Sequence, residues 1–377
     1  MSGFPTCEER EGLVRFLAPV YKDVPSEKMP VFYNRLMELR RDVSTAVLDA
    51  IARSSGKHLE VLDGLAATGV CGIRYAKESE ADMEVTINDH NPMAYAIIEK
   101  NIKRNRLINA IATRRDVNSI LSERFFDVID IDPFGSPVPY LDAAFQSLKL
   151  GGALFVTATD TAALCGAYRK TCFRRYHAVS ARTPYMHELG LRILIACCAR
   201  TAAKYDLAIK PLLSYSLDHY FRIYLETDGG CNAADNCLGN IGYIAHDMET
   251  SGWKALPGNS IPVKVKGALA AGPVWLGPLH DRDFLDKLHV KDFFGTKKRL
   301  DKVLALWKEE ADAPPFFYKV SEVTSLLRVS PPPLANVLEK LHESGYFAGR
   351  THFDPGTFKT DAPAGVVLGV VRQLTGS

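Results

Sequence analysis

Phe126-Asp127-Val128-Ile129-Asp130-Ile131-Asp132-Pro133-Phe134-Gly135-Ser136-Pro137 reads as an alternating strand that ends in an acid-proline-aromatic-glycine corner. The corner suits a planar amine. Asp132 stands at the strand's carboxyl end as a hydrogen-bond acceptor, Pro133 fixes the local backbone angle, and Phe134 offers a ring on which a base can stack. Open α/β sheets place ligands at strand ends of this kind. Taken alone, the string equally describes a strand followed by a Pro-Gly turn, so the surrounding chain has to decide.

Outward from the corner, strand patterns at residues 59–62, 84–88, 126–131 and 153–158 alternate with helical patterns at 70–77, 92–105 and 140–148, and a long amphipathic helix follows at 186–205. That alternation predicts a mostly parallel sheet covered on both faces. Two further strands, 207–215 and 220–226, are joined by only a few residues and must therefore run antiparallel. The predicted fold is thus a doubly wound α/β sheet with an antiparallel hairpin at its edge. After Thr227 the chain turns rich in Gly, Asn and Ala, and Gly272-Pro273 and Gly277-Pro278 punctuate the next stretch. We place a first domain over residues 1–272, with its sheet core at about 55–227 and an appended segment at 228–272, and a smaller α+β domain over 273–377. In the latter, 320–328 and 334–344 read as helices across a Pro-rich turn, with a strand at 346–353, a winged-helix-like order.

The first sheet strand runs into Asp63-Gly64-Leu65-Ala66-Ala67-Thr68-Gly69-Val70-Cys71-Gly72, a small-residue loop that opens a helix and lets a ligand approach the backbone. The dinucleotide fingerprint needs a glycine where Ala67 stands, which disfavours a nicotinamide enzyme. Asp89 closes the next strand, where an acid accepts bonds from ribose hydroxyls, and Asp116 ends the third strand pattern, within reach of an adenine amine. A single Asp at such a place commonly caps a helix; three at successive strand ends form a constellation.

A hydrophobic fraction of 47%, a charged fraction of 24% and a net charge of +2 describe a globular protein whose bulk charge selects no partner. Residues 1–15 lack the apolar stretch of a secretory signal, and the longest apolar run, near 193–203, is broken by Arg200. The eight cysteines follow no disulfide framework. A cytoplasmic protein with reduced thiols and no membrane association is expected.

Val31-Phe32-Tyr33-Asn34 with Arg41-Asp42, the 63–74 loop, Asn88-Asp89, Asp132 to Pro137, the segment Gly272-Pro273-Val274-Trp275-Leu276-Gly277-Pro278-Leu279 and Arg350-Thr351-His352-Phe353 together resemble the S-adenosylmethionine-dependent tRNA guanine-N2 dimethyltransferases, of the archaeal and eukaryotic type. The likeness covers nearly the whole chain, and Phe134-Gly135 separates it from other amino-methylating enzymes, which usually show a second proline and an aromatic there. It implies a class I methyltransferase sheet and a transfer of methyl groups to N2 of a tRNA guanine, at position 26, giving mono- and then dimethylguanosine. It also implies roles: Arg41 for the cofactor's carboxylate, Asp63 for its methionine portion, Asp89 for its ribose, Asp116 and Val117 for its adenine. Phe32 and Phe134 would clasp the target guanine, with Asp132 on its exocyclic amine.

The chemistry is reasonable apart from the likeness. A guanine amine is a poor nucleophile because its lone pair is delocalised into the ring, so an acceptor that turns the pair outward, and then takes the proton, lowers the barrier. The sulfonium already carries the reactive methyl, which leaves the protein mainly to align the two partners. Positive charge for RNA is concentrated in two acid-free tracts. One holds Lys100, Lys103, Arg104, Arg106, Arg114 and Arg115; the other holds Arg169, Lys170, Arg174, Arg175 and Arg182, interleaved with Tyr168, Phe173, Tyr176 and His177. Phosphate contacts from such tracts position RNA without reading its sequence. Lys297-Lys298-Arg299 would extend the track.

The sequence departs from the family pattern at one place. Many relatives carry paired Cys-x-x-Cys motifs before the Gly-Pro-Val-Trp-Leu segment, whereas here only Cys231 and Cys237 occur, and two thiols with His246 do not complete a tetrahedral zinc site. No metal is expected, and no obligate protein partner. A methyltransferase for another amine, such as a DNA base or a protein side chain, and a non-catalytic RNA-binding protein that kept the fold stand as alternatives.

Overall fold

The computed structural model describes residues 4–20, 29–258 and 267–376; residues 1–3, 21–28, 259–266 and 377 lie outside these. Its central sheet has seven strands, numbered here β1 (Leu59–Asp63), β2 (Met83–Asn88), β3 (Ala110–Thr113), β4 (Phe126–Ile131), β5 (Leu148–Ala158), β6 (Leu207–Leu217) and β7 (Tyr220–Gly229). Their spatial order is 3-2-1-4-5-7-6, with β1 parallel to β2 and β4, β2 to β3, and β4 to β5. Only Asp218 and His219 join β6 to β7, too few for a crossover, so those neighbours form a hairpin. This is the doubly wound, class I methyltransferase-like sheet predicted from the sequence. The strand order reverses at β1 and β4, where such sheets open a ligand crevice.

The decisive strand differs from its reading in one respect. An alternating pattern predicts one solvated face, yet all six residues of β4 are buried, as in parallel sheets covered on both sides. The two acids inside it are satisfied by partners instead of water. Asp127 accepts from Glu60 N–H at 2.9 Å and Lys149 Nζ at 2.8 Å, and Asp130 accepts from the Tyr75 hydroxyl at 2.7 Å.

By packing, the chain divides into two units. The first comprises Met1–Thr157, Tyr224–Asp228 and Asp286–Val303, and the second Ala158–Ile223, Gly229–Leu285 and Leu304–Ser377. This is a different cut from the single break after Gly272 read from the sequence.

The first unit contains the parallel strands and an amino-terminal hairpin, Thr6–Glu11 with Val14–Pro19. The hairpin delivers Glu11, 1% exposed, to Arg41, whose Nε and Nη2 donate to it, while the Tyr33 hydroxyl donates to the same carboxylate at 2.8 Å. Arg74, fully buried on the helix Val70–Glu78, donates to Asp42 at 2.6 Å and to Glu78 at 2.9 Å, and lies 3.5 Å from Glu11. Its guanidinium also sits 5.4 Å from the centre of the Phe294 ring.

In the second unit, Ile241–Asp247, Trp253–Pro257 and Ala268–Trp275 form a three-stranded antiparallel sheet where the sequence showed only a Gly/Asn-rich segment. Further on, the helices Val320–Leu327 and Leu334–Glu343 pack with the strands Ala348–Arg350 and Thr357–Thr360 around Val323, Val337, Leu341 and Phe358, the winged-helix-like order expected. Among the described residues, no helix is long and apolar enough to cross a membrane.

Candidate functional site

Four consecutive loops meet at the carboxyl ends of β1 to β4, and one buried side chain ties three of them. Asn88, 0% exposed, donates from Nδ2 to Gly64 O and Arg115 O and accepts at Oδ1 from Arg115 N–H and the Thr113 hydroxyl, all at 3.0 Å. Four hydrogen bonds from one amide exhaust what an asparagine can make. The loops after β1, β2 and β3 are thereby held in fixed register.

The Asp63–Gly69 loop fits tightly into this frame. A Cβ on Gly64 would stand 2.9 Å from Val117, and one on Gly72 would stand 2.8 Å from Ile87 and 3.1 Å from Asp63, so no larger residue is accommodated without movement. Ala67, the residue that replaces a fingerprint glycine, adopts φ +51°, the left-handed region that glycine favours. It is held there by Asp89, whose Oδ2 accepts from Ala67 N–H at 2.8 Å while its Oδ1 accepts from Asn91 N–H at 2.9 Å. Asp116 does cap its helix, accepting from Ser119 N–H at 3.1 Å, and so presents the buried Val117 beside Gly64. Asp63, Asp89 and Val117 therefore converge on one loop, whereas the Asp116 side chain is exposed and engaged with its own helix.

Asp63 is 3% exposed and accepts from Gly72 N–H at 2.8 Å. Burial, reinforced by the nearby charge of Asp130, pushes its carboxyl up to about 8. Nothing in the sequence singles out Asp130. Its alternating apolar neighbours mark a strand, and only the packed sheet shows it held by Tyr75, with Cys71 Sγ at 3.9 Å, and paired in register with Asp63 across β1 and β4. Two buried carboxyls in one place form a site that a cationic ligand would relieve.

At the corner itself, Arg40 Nη2 donates to Asp132 Oδ2 at 2.9 Å, with Arg40 only 5% exposed. Arg40 was missed in the sequence because it stands beside Arg41, the residue implied for the cofactor's carboxylate. In the structure Arg41 commits Nε and Nη2 to Glu11 and donates from Nη2 to Asn34 O at 3.0 Å as well, leaving Nη1 for a ligand. Arg40 fixes one oxygen of Asp132 and leaves the other as an acceptor.

Phe32 and Phe134 do come together, with ring centroids 4.8 Å apart and planes at 86°. That is an edge-to-face contact. A base sandwiched between them needs roughly twice an aromatic layer's contact distance, about 7 Å, so one ring has to turn before both can clasp a guanine. Phe134 is 54% exposed, as a ring awaiting a partner would be. A Cβ on Gly135, at φ +82°, would meet nothing within 4 Å, so there is open space beside the corner.

The basic tracts are less free than their sequence suggests. Arg104 pairs with Glu8 at 2.7 Å, Arg115 with Glu123 at 2.6 Å, Arg175 with Asp160 at 2.8 Å, and Lys297 with Asp301 at 3.4 Å. The acids come from elsewhere in the chain, or from just beyond the tract. Arg169, Lys170, Arg174 and Arg182 are all exposed.

Cys231 is exposed, whereas Cys237 is buried and donates to Ile209 O at 3.5 Å; His246 Nδ1 lies 3.1 Å from the Tyr185 hydroxyl. Among the described residues, the one group spaced to hold an ion is His280, Glu310 and His352, in the second unit. Ser216 N–H donates to His352 Nε2 at 3.2 Å, which puts the ring proton on Nδ1, where it is donated to Glu310. Lys359 Nζ lies 3.7 Å from the other Glu310 oxygen and 2.9 Å from Glu188. The protein's own ammonium already provides the cation this carboxylate requires, and Glu310 is held well below the usual carboxylate range by His352, His280 and Lys359 against the opposing effect of burial.

Comparisons with known proteins point to one family. The sequence model described as N2,N2-dimethylguanosine tRNA methyltransferase matches residues 12–372. A tRNA (guanine(26)-N(2))-dimethyltransferase from Thermococcus kodakarensis is 40% identical over 386 residues, covering 97% of this chain and 98% of that protein. Another from Methanobrevibacter smithii is 35% identical, covering 97% of each. Among solved structures, the complex of Trm1 from Pyrococcus horikoshii with S-adenosyl-L-methionine superimposes with a TM-score of 0.87 at 36% identity, over 97% of this chain and 99% of that one.

Proposed function

The chain belongs to the N2,N2-dimethylguanosine tRNA methyltransferase family, and from that premise we infer that it transfers methyl groups from S-adenosylmethionine to the exocyclic N2 of guanine 26 in tRNA, to the mono- and then the dimethyl stage. The observation that carries the reading is the pairing of an oriented acceptor with an exposed ring at one strand end: Asp132 held by Arg40, and Phe134 beside Phe32.

The residues present fit the cofactor. A buried carboxyl pair at Asp63 and Asp130 suits a cationic amino group, Asp89 suits a diol, Asp116 and Val117 suit an adenine with its exocyclic amine, and Arg41 Nη1 suits a carboxylate. S-adenosylmethionine, when bound, supplies an electrophilic methyl on a sulfonium. Phe134 and Phe32 hold the guanine ring out of its stack and replace the lost stacking. The free oxygen of Asp132 accepts from N2, turns its lone pair outward, and takes the proton released as the new bond forms. For the second transfer the pocket has to admit a methylated amine, a requirement with which the open space at Gly135, three residues after Asp132, is consistent. Arg169, Lys170, Arg174, Arg175 and Arg182 contact tRNA phosphates in this reading, and residues 273–377 serve as a tRNA-associated part of a cytoplasmic enzyme.

Labelled S-adenosylmethionine incubated with unmodified tRNA transcripts should deliver label to a transcript with guanine 26 and none to one with adenine there. Equal labelling of both would move the target; labelling of neither would remove the reading.

Cofactor affinity carries a pH signature. With the Asp63 carboxyl at about 8, the free protein is largely protonated there at neutral pH. A cationic amino group favours the ionised form, so binding expels that proton, and the association constant rises with pH until the amine loses its own proton. The gain falls mainly between about pH 6 and 8. Arg40 favours ionisation while Asp130 and Asp132 oppose it, so Asp63→Asn should flatten the profile. Calorimetry across that range checks it; a flat profile in the unaltered protein would take the cofactor's amine away from Asp63.

A further inference from the structure

The helix Arg169–Tyr176 has two dissimilar faces. Cys172 and Tyr176, four residues apart, are fully buried and anchor it. The Tyr176 hydroxyl donates to Asp160 at 2.6 Å, Arg175 donates to the same carboxylate at 2.8 Å, and Arg200 donates to Tyr176 O at 2.6 Å. The acid that meets this helix is therefore already used.

The other face carries Arg169, Lys170, Phe173 and Arg174, and with Val179 these line an open cleft of about 450 Å³. That volume lies within the range of small-molecule sites, about 300–1,000 Å³. Val179 is set firmly in the cleft wall: its N–H donates to Gly272 O at 2.7 Å and its carbonyl accepts from Gly272 N–H at 2.9 Å. Phe173 is 60% exposed in the midst of these cations. Among the described residues, no carboxylate pairs with Arg169, Lys170 or Arg174.

A large apolar ring left in water is unfavourable by itself, and three unmatched cations around it ask for an anion. A ligand that satisfies both must combine a flat hydrophobic face with negative charge. A nucleotide of single-stranded RNA has that combination, since a base stacks on an aromatic ring while its flanking phosphates meet the basic groups. The exposed Phe173 ring and the apolar Val179 distinguish the cleft from a purely phosphate-tracking surface.

We propose that this cleft is a second nucleotide site, which takes one unstacked base of the bound tRNA on Phe173 with its phosphates on Arg169, Lys170 and Arg174. It is separate from the guanine held at Phe134. The proposal rests on the tRNA reading and assigns to Phe173 a stacking role that a purely electrostatic tract would lack. Tyr176 and Phe173 look alike in the sequence; helical spacing, with Cys172, assigns the first to the core and leaves the second for ligand.

The test measures tRNA transcript affinity by filter binding at several salt concentrations. Phe173→Ala should weaken binding about 10-fold at every salt, with the slope of log K against log salt unchanged, and Phe173→Trp should remain within about two-fold of the unaltered protein. Arg169→Ala and Arg174→Ala should each weaken binding most at low salt and reduce that slope by about one. Unchanged affinity in Phe173→Ala, with the arginine variants still impaired, would overturn the nucleotide site and leave a plain polyanion surface. A loss in Phe173→Ala that Phe173→Leu restores as fully as Phe173→Trp would also overturn it, because general apolar contact would then suffice. Cofactor affinity, expected to be unchanged in each variant, controls for folding. Failure of the tRNA reading would appear separately, as no methyl transfer to tRNA by the unaltered protein.

Discussion

Asp132→Asn should lower kcat for methyl transfer by about 10²- to 10⁴-fold while leaving cofactor affinity within a few-fold of the unaltered protein. The substitution keeps the size of the side chain and an oxygen, so the guanine site stays filled. It removes the charge that turns the N2 lone pair toward the methyl and receives the proton, and it weakens the ion pair with Arg40, 2.9 Å away. Single-turnover rates at saturating tRNA, set beside calorimetric cofactor binding, separate the two quantities. An Asn variant at near-normal rate would show that an oriented oxygen suffices and that no proton passes to Asp132. Parallel loss of rate and cofactor binding would move Asp132 into the cofactor's site.

The second large effect is on stability. Arg74 is fully buried among Asp42, Glu78 and Glu11. Burial disfavours its charge, but Glu78, Asp42 and Glu11 together outweigh that and raise its pKa. Among these carboxyls, Glu78 is raised, burial being the larger influence on it, whereas Glu11 is held low because Arg41 and Arg74 overcome its burial. Arg74→Met fills much of the same space but leaves three carboxyls with one cation fewer. The expected cost is about 3–5 kcal/mol, the range for breaking a buried ion pair from one side. Urea unfolding should show an earlier midpoint, and adding Asp42→Asn to Arg74→Met should recover part of the loss. A change under about 1 kcal/mol would mean that the carboxyls protonate or find water at little cost.

The features legible in the sequence were those written locally. β4 and its corner, the Asp63–Gly69 loop and the strand-end acids Asp89 and Asp116 are each encoded within a few consecutive residues, by apolar runs, glycine positions and a proline. What escaped depends on residues far apart. Glu11, Arg41 and Arg74 form one cluster only because an amino-terminal hairpin folds back onto two helices. Arg40 and Asp132 are separated by more than ninety positions in the numbering, and nothing around either announces the other. Charge tracts mislead for the same reason: Arg104 and Arg115 look unopposed until Glu8 and Glu123 are brought to them. The strands within residues 241–275 were hidden by glycines and alanines, whose place in a sheet is set by pairing and hardly by propensity.

The aromatic pair shows the limit from the other side. Phe32 and Phe134 were singled out for one guanine and do meet, but edge to face at 4.8 Å. A base therefore enters by displacing a ring contact, and guanine binding should be accompanied by reorientation of Phe32 or Phe134.

In the proposed reaction this strand-end corner methylates the exocyclic nitrogen of a tRNA guanine. Mass spectrometry of nucleosides from transcripts incubated with the protein and S-adenosylmethionine tests it most directly. N2-methylguanosine should appear early and N2,N2-dimethylguanosine later, both absent with Asp132→Asn on the same time scale. Methyl groups found on a ring nitrogen, on another base, or nowhere in the RNA would contradict it.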